Sequence, residues 1–196
     1  MTTSDKWILA SASPRRREIL TGIGLEFKVD PSSDPEPAGK PGEAPSTYAV
    51  RAAGEKASKV SAKYPSGLVV GADTIVVTGN HILGKPASIE EAREMLGRLS
   101  GRWHEVITGI CINDISNNHL LSDFCVSRVH LQRLTAQEID WYIARGEYQD
   151  KAGAYGIQGY ASVFIDRIEG CFFNVVGFPV STFYRLCRQM GINILV

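Results

Sequence analysis

Cysteine and histidine are scarce in this sequence, four of each among 196 residues. Cys111, Cys125, Cys171 and Cys187 show no C-x-x-C spacing and no neighbouring His pair. That excludes a zinc module and a disulfide-stapled scaffold, and the four read as buried thiols in a reducing compartment. Net charge is absent as well, with 21 Lys and Arg against 21 Asp and Glu. A general binder of nucleic-acid polymer is basic overall, so any basic character here is local. No run of 18 apolar residues occurs, so no membrane-spanning helix is expected. The opening MTTSDKW lacks the charged and apolar regions of a signal peptide. The expected location is therefore the cytoplasm. There is no internal repeat. Neither a Ser-His-Asp order nor a reactive-cysteine signature appears, which leaves covalent catalysis without support.

What is present has the composition of a globular protein, 44% hydrophobic and 21% charged, with a length that suits one domain over 1–196. The segment DPSSDPEPAGKPGEAPS at 30–46 holds five of the nine prolines and reads as a loop. Around it the pattern predicts a short buried strand at 7–12, a helix at 14–23 and a second helix at 46–63. LVVGADTIVV at 68–77 reads as a central strand. Ser88 with Glu91, and Thr135 with Glu138, have the spacing of capping boxes. They open a helix through Ala92, Met95, Leu96 and Leu99, and another ending near Gly146. Strands are expected at 103–112 and 120–131, joined across Asn117-Asn118, with two more within 161–177. Pro179 opens a last helix to about 190. Strands and helices interleave throughout, so the expected class is α/β with a mixed sheet.

Three features of the pattern carry chemistry. The first is ILASASPRRREIL at 8–20. Ser13 suits the N-cap, Pro14 the first helical position and Gly24 the position beyond the helix end. Arg15, Arg16 and Arg17 then occupy the first turn, where the helix dipole makes a cation cost ~0.3–1 kcal/mol. Free backbone N–H groups, small hydroxyl residues and arginines after a strand suit a bound phosphate. The second is Lys56, which falls inside the inner stripe formed by Ala49, Ala52, Ala53 and Val60. A lysine there either snorkels outward or meets an anion. The third is Asp73, a carboxylate inside an apolar strand, which requires a cation, a metal or backbone donors. Gly71 beside it would let a ligand or another chain approach closely.

Two apparent nucleotide motifs fail on inspection. GNHILGKP at 79–86 has Pro86 where a P-loop needs a hydroxyl, and it lies in a hairpin-like region. GAYGIQG at 153–159 is not a dinucleotide fingerprint. Lys85 and Lys151 remain candidates to meet phosphate, and Gln158 to pair with a base edge. Arginines, lysines and a few carboxylates in apolar or glycine-rich settings fit a nucleoside triphosphate with a divalent metal. Magnesium takes few protein carboxylates and shares the phosphates. The candidate carboxylates are Asp34 and Glu36 in the proline-rich loop, with Asp73. Water attack assisted by the metal is the chemistry expected.

The same stretches, with RAAGEKA at 51–57, VVGADTIV at 70–76, LGKP at 83–86, LSGRWHEVITG at 99–109, DKAGAYGIQG at 150–159 and NVVGFP at 174–179, resemble the Maf family of nucleoside triphosphate pyrophosphatases, also called septum formation proteins. They span nearly the whole chain in order. The resemblance implies a fold similar to inosine triphosphate pyrophosphatase, with two lobes around a central cleft and often a homodimer. It implies hydrolysis of a nucleoside triphosphate to the monophosphate and pyrophosphate with magnesium or manganese. Asp73 matches the proposed general base and a metal-linked position. Ser11, Ser13, Arg15, Arg16, Lys56 and Lys85 match the phosphate side, and Glu36 a metal-linked acid, although the DPEP around Glu36 departs from the family's adjacent acidic residues. DKAGAYGIQG, with Lys151 and Gln158, resembles the dTTP/UTP-hydrolysing branch rather than the 7-methyl-GTP branch. Thr74 and Arg15 match positions linked to specificity. The competing reading is a non-catalytic nucleotide-binding regulator of cell division.

Overall fold

A computed structural model describes residues 7–32, 37–79 and 81–195. The strand expected at 7–12 is shorter, β1 at Trp7–Leu9. It is followed by α1 (Pro14–Gly22), β2 (Phe27–Val29), α2 (Pro45–Ser61), β3 (Leu68–Thr78) and β4 (His81–Leu83). Then come α3 (Ile89–Leu99), β5 (Trp103–Asp114), β6 (His119–Leu131), α4 (Ala136–Ile143), β7 (Ile165–Glu169), α5 (Phe172–Val176) and α6 (Val180–Gln189). The strands form a seven-stranded sheet in the order β2-β1-β3-β5-β6-β7, with β4 on β3. It is mixed: β1 runs parallel to β2 and β3, while β3–β4 and β6–β7 are antiparallel. The α/β expectation holds.

The chain divides into two compact units, one from 1–73, 108–125 and 177–196, the other from 74–107 and 126–176. Strands β3, β5 and β6 each pass from one unit to the other within their length. Each unit has its own core. In the first, Ile8, Ala10, Ala53, Ala57, Val60, Val69 and Cys111 are buried together. In the second, Val76, Met95, Leu96, Leu99, Val129, Leu131, Tyr142 and Phe164 are among the buried set.

Packing in the first unit depends on missing side chains. A Cβ at Gly71 would lie 2.3 Å from the Ala53 carbonyl oxygen and 2.9 Å from the Ala57 nitrogen. One at Gly109 would lie 2.2 Å from the Ala49 carbonyl oxygen. The stripe Ala49, Ala52, Ala53 and Ala57 is fully buried. Small residues on the helix and glycines on β3 and β5 thus let α2 rest on the strands nearly backbone to backbone. The chain that Gly71 admits is α2 itself.

Four expectations need correction. Residues 161–177 contain one strand, not two, because Phe172–Val176 is helical. There Ser127 Oγ both accepts from Cys171 N and donates to Cys171 O, each at 3.0 Å, so a side chain satisfies backbone groups that a strand would pair. Buried Asn174 then donates to Val106 O and Ser127 Oγ, and these tertiary bonds outweigh the β preference of Phe-Phe. Ser13 occupies the N-cap of α1 but makes no side-chain cap; its N–H donates to Ser11 Oγ at 3.3 Å. Thr135 and Glu138 form the full capping box. Ser88 accepts from Glu91 N, but the Glu91 carboxylate reaches Ala87 N, one residue early. Finally, Cys111 and Cys187 are buried while Cys125 and Cys171 are only half-buried; none forms a disulfide among the described residues.

Candidate active site

The arginines at the start of α1 have different roles. Arg16 shares a helix face with Ile19 and Leu20 and is 9% exposed. Its Nε donates to Gly177 O at 2.9 Å, and its Nη1 donates to Ala72 O at 2.8 Å and Ser11 Oγ at 3.0 Å. It therefore binds three separate stretches of the first unit together. Its two neighbours in the first turn are placed differently. Arg15 is half-buried and its side chain makes no hydrogen bond or ion pair with the described residues, and Arg17 is exposed. Ser11 is buried, and its oxygen accepts from both Arg16 and Ser13. With both lone pairs engaged, its O–H proton is left to donate.

The second and third features of the sequence answer each other. Asp73, 2% exposed on β3, receives the Lys56 ammonium on Oδ1 at 2.5 Å. The anion that Lys56 meets is the carboxylate whose partner the sequence left open. The contact is set by packing: Gly71, two residues before Asp73, seats Ala53 and Ala57 of α2, and Lys56 lies between them in sequence.

Asp34 and Glu36 lie outside the described residues. The loop that follows them is pinned to α2 by Arg51. Its Nε and Nη2 donate to the two oxygens of Glu43, each at 2.7 Å, Nη1 donates to Glu55 at 2.9 Å, and Nη2 also donates to Ala38 O at 3.0 Å. Tyr48 Oη donates to Pro37 O at 2.9 Å. The Arg51 hydrogen bonds hold the Glu43 carboxyl down at about 2, against an ordinary 4.5. A carboxylate whose pKa falls on folding stabilises above its unfolded value and loses that contribution as pH drops toward the folded value. The loop contribution should therefore be complete above 4.5 and fade between 4.5 and about 2. Thermal melting of wild type and Glu43→Gln over that window checks it. The variant should start less stable and show a shallower acid slope, and parallel slopes would remove Glu43 from the effect.

In the second unit, Thr74 is half-buried on β3 and Lys85 is exposed just after β4. The region 79–86 is the β3–β4 hairpin and its exit, with Val76 opposite Leu83, not a P-loop. The turn 151–159 is built against it: Gly153 N donates to Gly84 O at 3.0 Å, and a Cβ at Gly153 would press on Val76 at 3.0 Å. Two motifs far apart in sequence, LGKP and DKAGAYGIQG, thus meet in the fold. Tyr155 and His104 share a hydrogen bond of 2.7 Å beneath the turn, and burial pushes His104 down to about 4, so it is neutral at physiological pH. Gly156 N donates to Tyr142 Oη at 3.3 Å. Lys151 is half-buried, and its ammonium donates to Glu147 O at 2.5 Å, so it serves the turn itself. Gln158 is exposed on the turn.

The sequence reading missed His104, Tyr155, Arg51 and Glu147. His104 alternates with exposed Glu105 and buried Val106 on β5, a period-2 signal for an inward residue. Nothing local marked the other three.

Among the described residues no three His, Cys, Asp or Glu side chains group as a metal cage. Magnesium needs fewer protein ligands, one or two carboxylates with phosphate oxygens and water. A hard oxygen donor such as Asp73 fits as one of these.

A family model described as Maf-like protein matches residues 6–190. The chain belongs to the Maf-like family. This Maf-like chain is 48% identical over 187 residues to a protein of Syntrophomonas wolfei named dTTP/UTP pyrophosphatase, covering 95% of the chain and 98% of that relative. Relatives with the same name in Koribacter versatilis and Desulforamulus reducens are 47% and 44% identical. They cover 94% and 96% of the Maf-like chain, and 94% and 98% of their own lengths. Among solved structures, the nucleoside-triphosphatase / dITP/XTP pyrophosphatase of Mycobacterium abscessus covers 95% of the chain and 96% of its own at 11% identity. Its TM-score is 0.41.

Proposed function

We propose that this chain hydrolyses nucleoside triphosphates to the monophosphate and pyrophosphate, prefers dTTP and UTP, and works with magnesium or manganese. The observation that carries the reading is the pairing of buried Asp73 with half-buried Lys56, in a chain similar over its length to relatives named dTTP/UTP pyrophosphatase. Asp73 orients the attacking water and takes its proton, and Lys56 holds the carboxylate in place. Lys85, Arg15 and the Ser11 O–H serve the phosphate oxygens, while Ser13 and Arg16 shape that region. Asp73 and Glu36 are the residues that would hold the metal. When bound, the metal neutralises phosphate charge and acidifies its bound water. On the base side, the Gln158 carboxamide offers a donor and an acceptor that match N3–H and O4 of uracil and thymine, with Thr74 and Arg15 as further specificity positions. The protein acts in the cytoplasm as a homodimer; cysteines that form no disulfide among the described residues support the reducing compartment. Light scattering that reports a monomer would remove the dimer.

Pyrophosphate release from dTTP, UTP, CTP, GTP and 7-methyl-GTP with magnesium tests the reading. Release should be fastest from dTTP and UTP. Release from none would favour a nucleotide-binding regulator, and faster release from 7-methyl-GTP than from UTP would overturn the base assignment.

The arginines separate in a second experiment. Arg15→Ala should weaken triphosphate binding by about 1.5–3 kcal/mol, the range for charged hydrogen bonds, with melting unchanged. Arg16→Ala should lower stability instead, by about 1–3 kcal/mol, because the Ala72 and Gly177 carbonyls lose a buried charged donor. Calorimetric binding and thermal melting on both variants distinguish the roles, and identical behaviour would refute the division.

A further inference from the structure

Two side chains occupy the spaces that two glycines leave in the turn carrying Gln158. A Cβ at Gly159 would fall 1.4 Å from Glu147 Oε1, and one at Gly156 would fall 2.6 Å from Lys151 Cε. Glu147 and Lys151 are themselves tied, since the Lys151 ammonium donates to the Glu147 backbone oxygen. Gln158 therefore sits in a short bracket gripped on both sides of its sequence by side chains from 147–151.

Glu147 is an odd choice for a filler. It is half-buried, its Oε2 is enclosed without a hydrogen-bond partner, and its carboxylate makes no ion pair among the described residues. A polar group enclosed without a partner costs stability, so its presence is not explained by holding the fold together. Its contact is with the turn, beside the residue assigned to the base.

We propose that Glu147 is a positioning residue for base selection: its carboxylate, filling the space at Gly159, sets the course of the chain that presents Gln158. This rests on the base-side role of Gln158 given above. The bulk of the group matters and its charge does not.

The test compares Glu147→Ala, Glu147→Gln and each of these with Gln158→Ala. In Glu147→Ala, KM for UTP should rise about tenfold and the preference for UTP over CTP should fall by a similar factor. The kcat should stay within about threefold and melting should not drop. Glu147→Gln, of equal size, should restore KM to within about threefold of wild type. In the Gln158→Ala background the Glu147→Ala effect should vanish, because the residue acts through Gln158. Hydrogen exchange at the amides of 157–159 should quicken in Glu147→Ala. Unchanged KM and preference, a Gln variant as poor as Ala, or a joint fall of melting, kcat and affinity would overturn the proposal. If the wild type releases no pyrophosphate, the functional reading fails; the exchange result still decides positioning, and unchanged exchange overturns it.

Discussion

Asp73→Asn should lower pyrophosphate release by about 10²–10⁴-fold, the range for loss of a general base. Asparagine has nearly the same shape, and its amide oxygen still accepts from the Lys56 ammonium, which reaches Oδ1 at 2.5 Å in the native pair. The fold should persist, which a melting curve verifies. What the variant loses is a group able to take a proton from water and to offer a charged oxygen to a metal. Nucleotide affinity should change much less, because the arginine and lysine positions are untouched. Single-turnover pyrophosphate release beside equilibrium binding separates the two. Turnover within threefold of wild type would remove Asp73 from the chemistry.

Gly71→Ala should be among the most damaging single methyl groups in the first unit. The added carbon would meet the Ala53 oxygen at 2.3 Å, the Ala57 nitrogen at 2.9 Å and the Ala57 Cβ at 3.0 Å, two of them backbone atoms. No rotamer relieves that, so α2 must lift or β3 must shift. Overpacking typically costs about 1–3 kcal/mol and more when backbone has to move. Because Lys56 stands between Ala53 and Ala57, the same shift parts its ammonium from Asp73, and activity should fall with stability. Gly54→Ala on the same helix is the control, since its Cβ would meet nothing within 4 Å. It should gain about 0.5–1 kcal/mol from better helix propensity. Thermal melting decides, and a Gly71→Ala variant that melts like wild type would show the contact to be soft.

The sequence made the periodic elements legible and hid what depends on tertiary contact. Lys56 was readable because three alanines and a valine marked its face of α2, and Asp73 because apolar neighbours isolated it. That the two are partners needed the fold. Arg16 carried the same stripe signal, three before Ile19 and four before Leu20, but three adjacent arginines suggested one shared outward role. The helix at Phe172–Val176 was illegible because the backbone of Cys171, just before it, is satisfied by Ser127, more than forty residues away. The three-residue strands β2 and β4 are too short for any period to register. Glu147 was invisible for a plainer reason: its neighbour is an absent side chain at Gly159.

The passage of β3, β5 and β6 between the two units bears on how the protein is made. Translation delivers the chain from its N-terminus at about 5–20 residues per second. Every segment of the second unit has been synthesised by residue 176, whereas the first still lacks 177–196. Those final residues include Gly177, the acceptor for Arg16, and Phe183, whose ring meets Trp7 at 5.3 Å. The nascent first unit, holding Arg16, Lys56 and Asp73, therefore waits on residues 177–196 for these partners.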